Sequence, residues 1–122
     1  MGNDLLIKMK KDIYSVGFFD FLIKVNVDDI FDIRDGKLFD DLWIESFNRL
    51  KEISIPNDVQ CNIDELRELS FKLSFEIIGV PDISSIISDD IELIAKDIIL
   101  GTKNSWPVNY LWELYREGVF PV

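Results

Sequence analysis

Histidine is missing from all 122 residues. Its absence removes the side chain that most often moves protons near neutral pH and the commonest transition-metal ligand. Nucleophilic arrangements of the Ser-His and Cys-His kind are excluded with it. Cysteine occurs once, at Cys61, which rules out an intramolecular disulfide or a thiolate cluster and fits a reducing compartment. Between Gln60 and Asn62, with no cationic neighbour to stabilise a thiolate, Cys61 reads as a small, semi-buried residue. The six glycines are isolated (Gly2, Gly17, Gly36, Gly79, Gly101, Gly118), so no glycine-rich loop can cradle a phosphate. No apolar run reaches the roughly 18 residues that a membrane span needs. At the start, Lys8, Lys10 and Lys11 break up any signal core, and Leu6 stands where N-myristoylation expects Ser or Thr. A cytoplasmic protein without a cofactor is expected.

What is present is ample material for a core. Hydrophobic residues make up 48% of the chain and aromatics 12%, enough to offset the entropy of ordering a backbone of this length. Thirteen basic residues stand against twenty-three acidic ones, a net charge of −10. Such a charge repels nucleic-acid phosphates and anionic lipid and attracts basic proteins. It also serves solubility alone in many acidic domains.

Helical signals dominate. Residues 62–78 begin with Asn62 as a candidate N-cap and Glu65 three positions on, and Gly79 with Val80-Pro81 follows as a stop. Within that stretch Phe71, Leu73, Phe75 and Ile77 also alternate as a strand would. A second helix is expected over 89–100, with Ser88 as N-cap, Asp89, Asp90 and Glu92 complementing the helix dipole, and Gly101 as terminator. Residues 38–53 read likewise, with Leu42, Trp43, Phe47, Leu50 and Ile53 turned inward. The last helix spans 107–117, with Pro107 in its first turn and Gly118 past its end. Residues 5–25 are very apolar and interrupted by Gly17, which suggests two short helices or one broken one. No repeat or linker divides the chain. The expectation is an all-α, single-domain bundle of five or six helices over residues 1–122, the alternative being α+β with a short strand near 70–78.

The densest local feature is residues 28–41, where Asp28, Asp29, Asp32, Asp35, Asp40 and Asp41 surround an Asp35-Gly36 turn and alternate with Phe31 and Phe39. An EF-hand register puts Phe31 and Leu42 where an Asp and a bidentate Glu are required, so that site is rejected; a looser divalent site stays open. Paired-carboxylate hydrolysis needs a cleft, which nothing in the sequence indicates. The pattern suits an interface, with Phe31, Phe39 and Trp43 as apolar anchors and the acids as steering charges. The alternative is that the aromatics are core and the acids a solvated loop and helix start. In the C-terminal segment, Val108, Leu111, Trp112 and Tyr115 share a helical face that suits docking on the core, while Tyr110, Glu113 and Glu117 are expected to be exposed and available to a partner.

Size, acidity, missing catalytic groups and the closing pattern Trp106-Pro107…Leu111…Leu114-Tyr115…Gly118…Pro121 resemble the small acidic immunity proteins that bacteria make against their own toxins, including the contact-dependent growth inhibition type. The resemblance implies a non-catalytic cytoplasmic inhibitor, monomeric until it forms a one-to-one heterodimer. It would cap the active site, or a nearby surface, of a basic nuclease toxin. It transfers no binding residue. A regulatory or adaptor subunit acting through apolar helix faces is the rival reading, and a metal-dependent carboxylate enzyme the third.

Overall fold

The computed structural model describes residues 2–101 and 105–122. In chain order they form α1 (Gly2–Tyr14), a 3-10 helix (Asp20–Lys24), α2 (Val27–Arg34), α3 (Lys37–Leu50), α4 (Asn57–Ile78), α5 (Pro81–Leu100), a π-helix (Pro107–Trp112) and α6 (Glu113–Glu117). Among the described residues there is no strand, and the all-α expectation holds.

The two long helices form an antiparallel hairpin. Gly79 ends α4 in the left-handed region at φ 66°, a conformation that glycine adopts without the steric penalty other residues meet. Two residues later Pro81 opens α5 at its first position, where its fixed φ is already helical and its missing N–H is not needed. Proline thus closes nothing here; it starts the next helix. The predicted start at Asp89 is therefore eight residues late, and Ser88, expected as the cap, is buried within α5, donating to the Arg67 carbonyl at 3.3 Å. The start of α4 is also earlier than predicted. It begins at Asn57 after Pro56, and Asn62 lies inside the helix rather than capping it, because a polar first turn carries no hydrophobic period to reveal it.

Residues 70–78 are helical, not extended. The apparent alternation arises from two interleaved i,i+4 pairs. Phe71 and Phe75 stack with centroids 6.0 Å apart, while Leu73 and Ile77 pack partly buried against the core. Between them runs a narrow seam of buried Ser70 and Ser74 that lets α5 come close, with the Ser74 hydroxyl donating to the Ser70 carbonyl at 2.6 Å and lying 3.1 Å from the Ser84 hydroxyl.

At the centre lies α5, burying Ile83, Ile87, Ile91, Ile94 and Ala95 completely. Helix α1 lies across α4 and α5 with Leu6, Met9 and Ile13 inward. The N-terminal region is thus one helix and one 3-10 turn flanking Gly17, as its broken pattern suggested. Helix α3 ends at Leu50, short of the predicted Ile53, and Phe47 is 40% exposed, stacked on Trp43 rather than inward. Cys61 is exposed, not semi-buried.

Since Ile91 is fully buried in the central helix, Ile91→Ala is expected to lower stability by about 2 to 5 kcal/mol, through lost transfer energy and the cavity left behind. The midpoint of urea denaturation reads this directly.

Candidate functional site

Residues 28–41 fold into α2, the Asp35-Gly36 turn and the start of α3. Asp28, Asp29 and Asp32 therefore lie on a helix of their own rather than on the solvated loop of the alternative reading, while Asp40 and Asp41 sit near a helix start as expected. Asn26 caps α2, its side-chain oxygen accepting from the Asp29 amide at 3.1 Å. Asp28 and Asp29 occupy the first turn, where carboxylates complement the positive helix end. Asp35 follows α2 and Gly36 precedes α3. A side chain at Gly36 would lie 2.8 Å from the Ile33 carbonyl oxygen, so only glycine permits so tight a corner. All six predicted acids (Asp28, Asp29, Asp32, Asp35, Asp40 and Asp41) are exposed. Among the described residues no three His, Cys, Asp or Glu side chains come together as a metal site.

Beneath this corner lies a buried polar cluster. Asp90 of α5 has no exposed surface. Its Oδ1 accepts from Arg34 Nη2 at 2.7 Å and Trp43 Nε1 at 2.9 Å. Its Oδ2 accepts from Arg34 Nη1 at 2.7 Å and the Tyr115 hydroxyl at 2.6 Å. Burial opposes the charge on Arg34, yet the adjoining carboxylate outweighs it and the guanidinium pKa is raised. Burial first, and then Asp90, push the Tyr115 phenol well above its ordinary 10.0, against the opposing influence of Arg34.

Asp90, expected to complement a helix dipole, instead lies in the middle of α5 and binds Arg34, Trp43 and Tyr115. The missed signal was positional. Ile83, Ile87, Asp90, Ile94 and Asp97 follow one another at spacings of four and three, which places both acids on the apolar stripe of α5. Asp97, also fully buried, pairs with Arg49 at 3.1 Å.

Arg34 also shapes the surface. Its guanidinium lies 4.4 Å from the Phe39 ring centroid and 5.7 Å from that of Phe120, within cation–π range. Phe39 meets Trp106 edge-on at 5.2 Å, and Trp106 stacks on Tyr110 at 5.5 Å. Around these rings opens an apolar groove of about 420 Å³. Ile33, Gly36, Lys37, Leu38, Phe39 and Leu42 form one wall, and Trp106, Tyr110 and Val122 the other. Tyr110 donates to the Val122 carbonyl at 2.6 Å, fastening the tail against the π-helix.

Of the predicted partner-binding residues, Tyr110 lines the groove, Asp35 adjoins Gly36, and helical spacing puts Asp29 beside Ile33 and Asp41 beside Leu38. Asp40 falls on a different side of α3, and Asp28 and Asp32 face away from Ile33 on α2. Phe31 is half-buried and packs against the core. Glu113 and Glu117 are exposed outside the groove, Glu113 pairing with Arg116 at 3.4 Å. Glu45, exposed three residues beyond Leu42, and Ile33 and Leu38, which are 51% and 77% exposed, also border the groove, and no sequence pattern singles them out.

The family described as Immunity protein PIM1 matches residues 8–122. The chain belongs to that family. Comparison with curated proteins gave no match. Membership of an immunity protein family supports a role in neutralising a toxin. Among the described residues of this immunity protein no helix is long and apolar enough to cross a membrane.

Two outcomes are expected of the cluster. Asp90→Asn leaves the Arg34 charge buried without a counterion and should destabilise the fold by about 3 to 5 kcal/mol in urea denaturation. The Tyr115 phenol holds its proton to higher pH in the folded than in the unfolded chain, whose phenol ionises near 10.0. Its contribution is therefore complete below that pH and declines as pH rises above it. Stability measured from pH 8 to 11 (roughly the span around an unperturbed phenol) should fall at the alkaline end, and less steeply in Tyr115→Phe.

Proposed function

We propose that this immunity protein neutralises its cognate toxin by direct one-to-one binding through the face built from α2, the start of α3 and the π-helix. The toxin is a basic nuclease domain. Asp28, Asp29, Asp32, Asp35, Asp40 and Asp41 stand in for the phosphates of its substrate, and binding occludes the site where nucleic acid would lie. No catalysis by the immunity protein is involved, and the encounter takes place in the cytoplasm.

The observation that carries this reading is the coincidence of an apolar groove with the exposed carboxylates Asp29, Asp35 and Asp41 beside it, while Asp28, Asp32 and Asp40 spread negative charge over the other sides of α2 and α3. Interfaces combine a desolvated apolar anchor with a charged rim that steers the encounter, and a chain of net charge −10 steers basic partners. Tyr110 supports the groove side of that face, and Glu113 and Glu117 extend the negative charge along the last helix.

The experiment is a binding titration against the cognate toxin domain, run at several salt concentrations. Affinity is expected to fall steeply as salt rises. Changing Asp28, Asp29, Asp32 and Asp35 together to Asn should weaken binding about tenfold or more and flatten the salt dependence. Unchanged affinity in that variant overturns the electrostatic reading. Failure of the wild-type protein to bind the toxin or to protect cells expressing it overturns the function.

A further inference from the structure

The groove has features of a receptor for one particular kind of group. Its walls are apolar and aromatic, and Trp106 and Tyr110 belong to the residue types that most often carry binding energy in interfaces. Neither wall is free to collapse. On one side the Gly36 corner is held by the Gly36 amide donating to the Ile33 carbonyl at 3.0 Å. On the other, the Trp106–Tyr110 stack is fastened to the tail. Leu38 is 77% exposed at the mouth, an arrangement that leaves apolar surface in water until something covers it.

The rim restricts what that something is. Asp29, Asp35, Asp41 and Glu45 flank the lining residues; among the described lining residues the one cation is Lys37, and the nearby Arg34 charge, behind Phe39, is matched by buried Asp90. Lipid headgroup phosphates meet repulsion there. So does a second copy of this chain, which brings the same rim and the same −10 charge. An apolar side chain flanked by cations is favoured on both counts.

We propose that the groove is an anchor pocket that takes one aliphatic or aromatic side chain from a lysine- or arginine-bearing segment of the toxin. This rests on the toxin-binding reading above and adds to it a defined pocket and a defined occupant. Affinity then divides between two separable contributions. The carboxylates govern how fast the partners meet, and the groove governs how slowly they part.

The test has two arms. In the first, isotope-labelled protein is titrated with the peptide acetyl-Lys-Lys-Phe-Lys-Lys-amide and with its Ser-centred counterpart, followed by NMR. The Phe peptide is expected to shift the Trp106 indole and the Gly36 and Leu38 amides, with affinity about tenfold above that of the Ser peptide. Equal shifts from both peptides, or shifts only elsewhere on the surface, overturn the proposal. In the second arm, the toxin domain is bound to wild type and to Ile33→Ser/Leu38→Ser, a pair chosen because both side chains are half or more exposed, with thermal melting to confirm the fold. Dissociation about tenfold faster or more, with a near-unchanged association rate, is expected. If wild type binds and the double variant binds equally well, the pocket is refuted while the toxin-binding reading stands. If wild type does not bind, that reading fails, and the peptide arm alone decides what the groove accepts.

Discussion

A single buried carboxylate holds together the corner of the molecule that carries the groove. Burying an ion pair is expensive, and the expense is met only when geometry is close to ideal and every remaining hydrogen-bonding position is filled. Asp90 meets both conditions. Four donors occupy its two oxygens: two from Arg34 in a bidentate fork, one from the Trp43 indole and one from the Tyr115 hydroxyl. Those donors come from α2, α3 and α6, so one side chain of α5 fixes the positions of three short helices that are otherwise connected by little backbone. Short helices are marginal on their own, and here their placement is dictated from inside.

That interior arrangement reaches the surface through Arg34. One edge of the guanidinium donates to Asp90, and its charge lies over the rings of Phe39 and Phe120. Phe39 in turn sets Trp106, and Trp106 sets Tyr110. The groove is therefore the outer end of a chain of contacts that begins at a buried charge. Its exposed residues, by contrast, take little part in holding the fold. Carboxylates at the rim are solvated, and exposed charges of this kind contribute little to stability, which leaves them available for recognition.

Much of the helical framework was legible because it is written in local chemistry. Gly79, Gly101 and Gly118 end α4, α5 and α6 in the left-handed conformation, and an isolated glycine after an apolar period announces such an end. Helix starts were less visible. Pro56 and Pro81 precede polar or mixed first turns, where periodicity has not yet begun, so Asn62 and Ser88 looked like caps. The acidic corner was located in the sequence, but its helix was not, since α2 has only eight residues and its acids mask the Ile30–Arg34 inward stripe. Asp90 was misread because an acid in a helix looks the same in sequence whether it meets water or an arginine fifty-six residues away. The groove was illegible for a related reason. It is assembled from the α2–α3 corner, the π-helix and the tail, segments that only the tertiary fold brings together.

The tail's attachment has a practical side. The Pro121 carbonyl accepts from Arg34 at 3.4 Å and the Val122 carbonyl from Tyr110 at 2.6 Å, so residues 121 and 122 are held along the wall of the groove. Anything appended beyond Val122, a purification tag or a fluorescent fusion among them, starts its path at the mouth of that groove and competes for the space there. Handles for immobilisation belong elsewhere, and the exposed thiol of Cys61, in the second turn of α4 and not among the residues that line the groove, offers one.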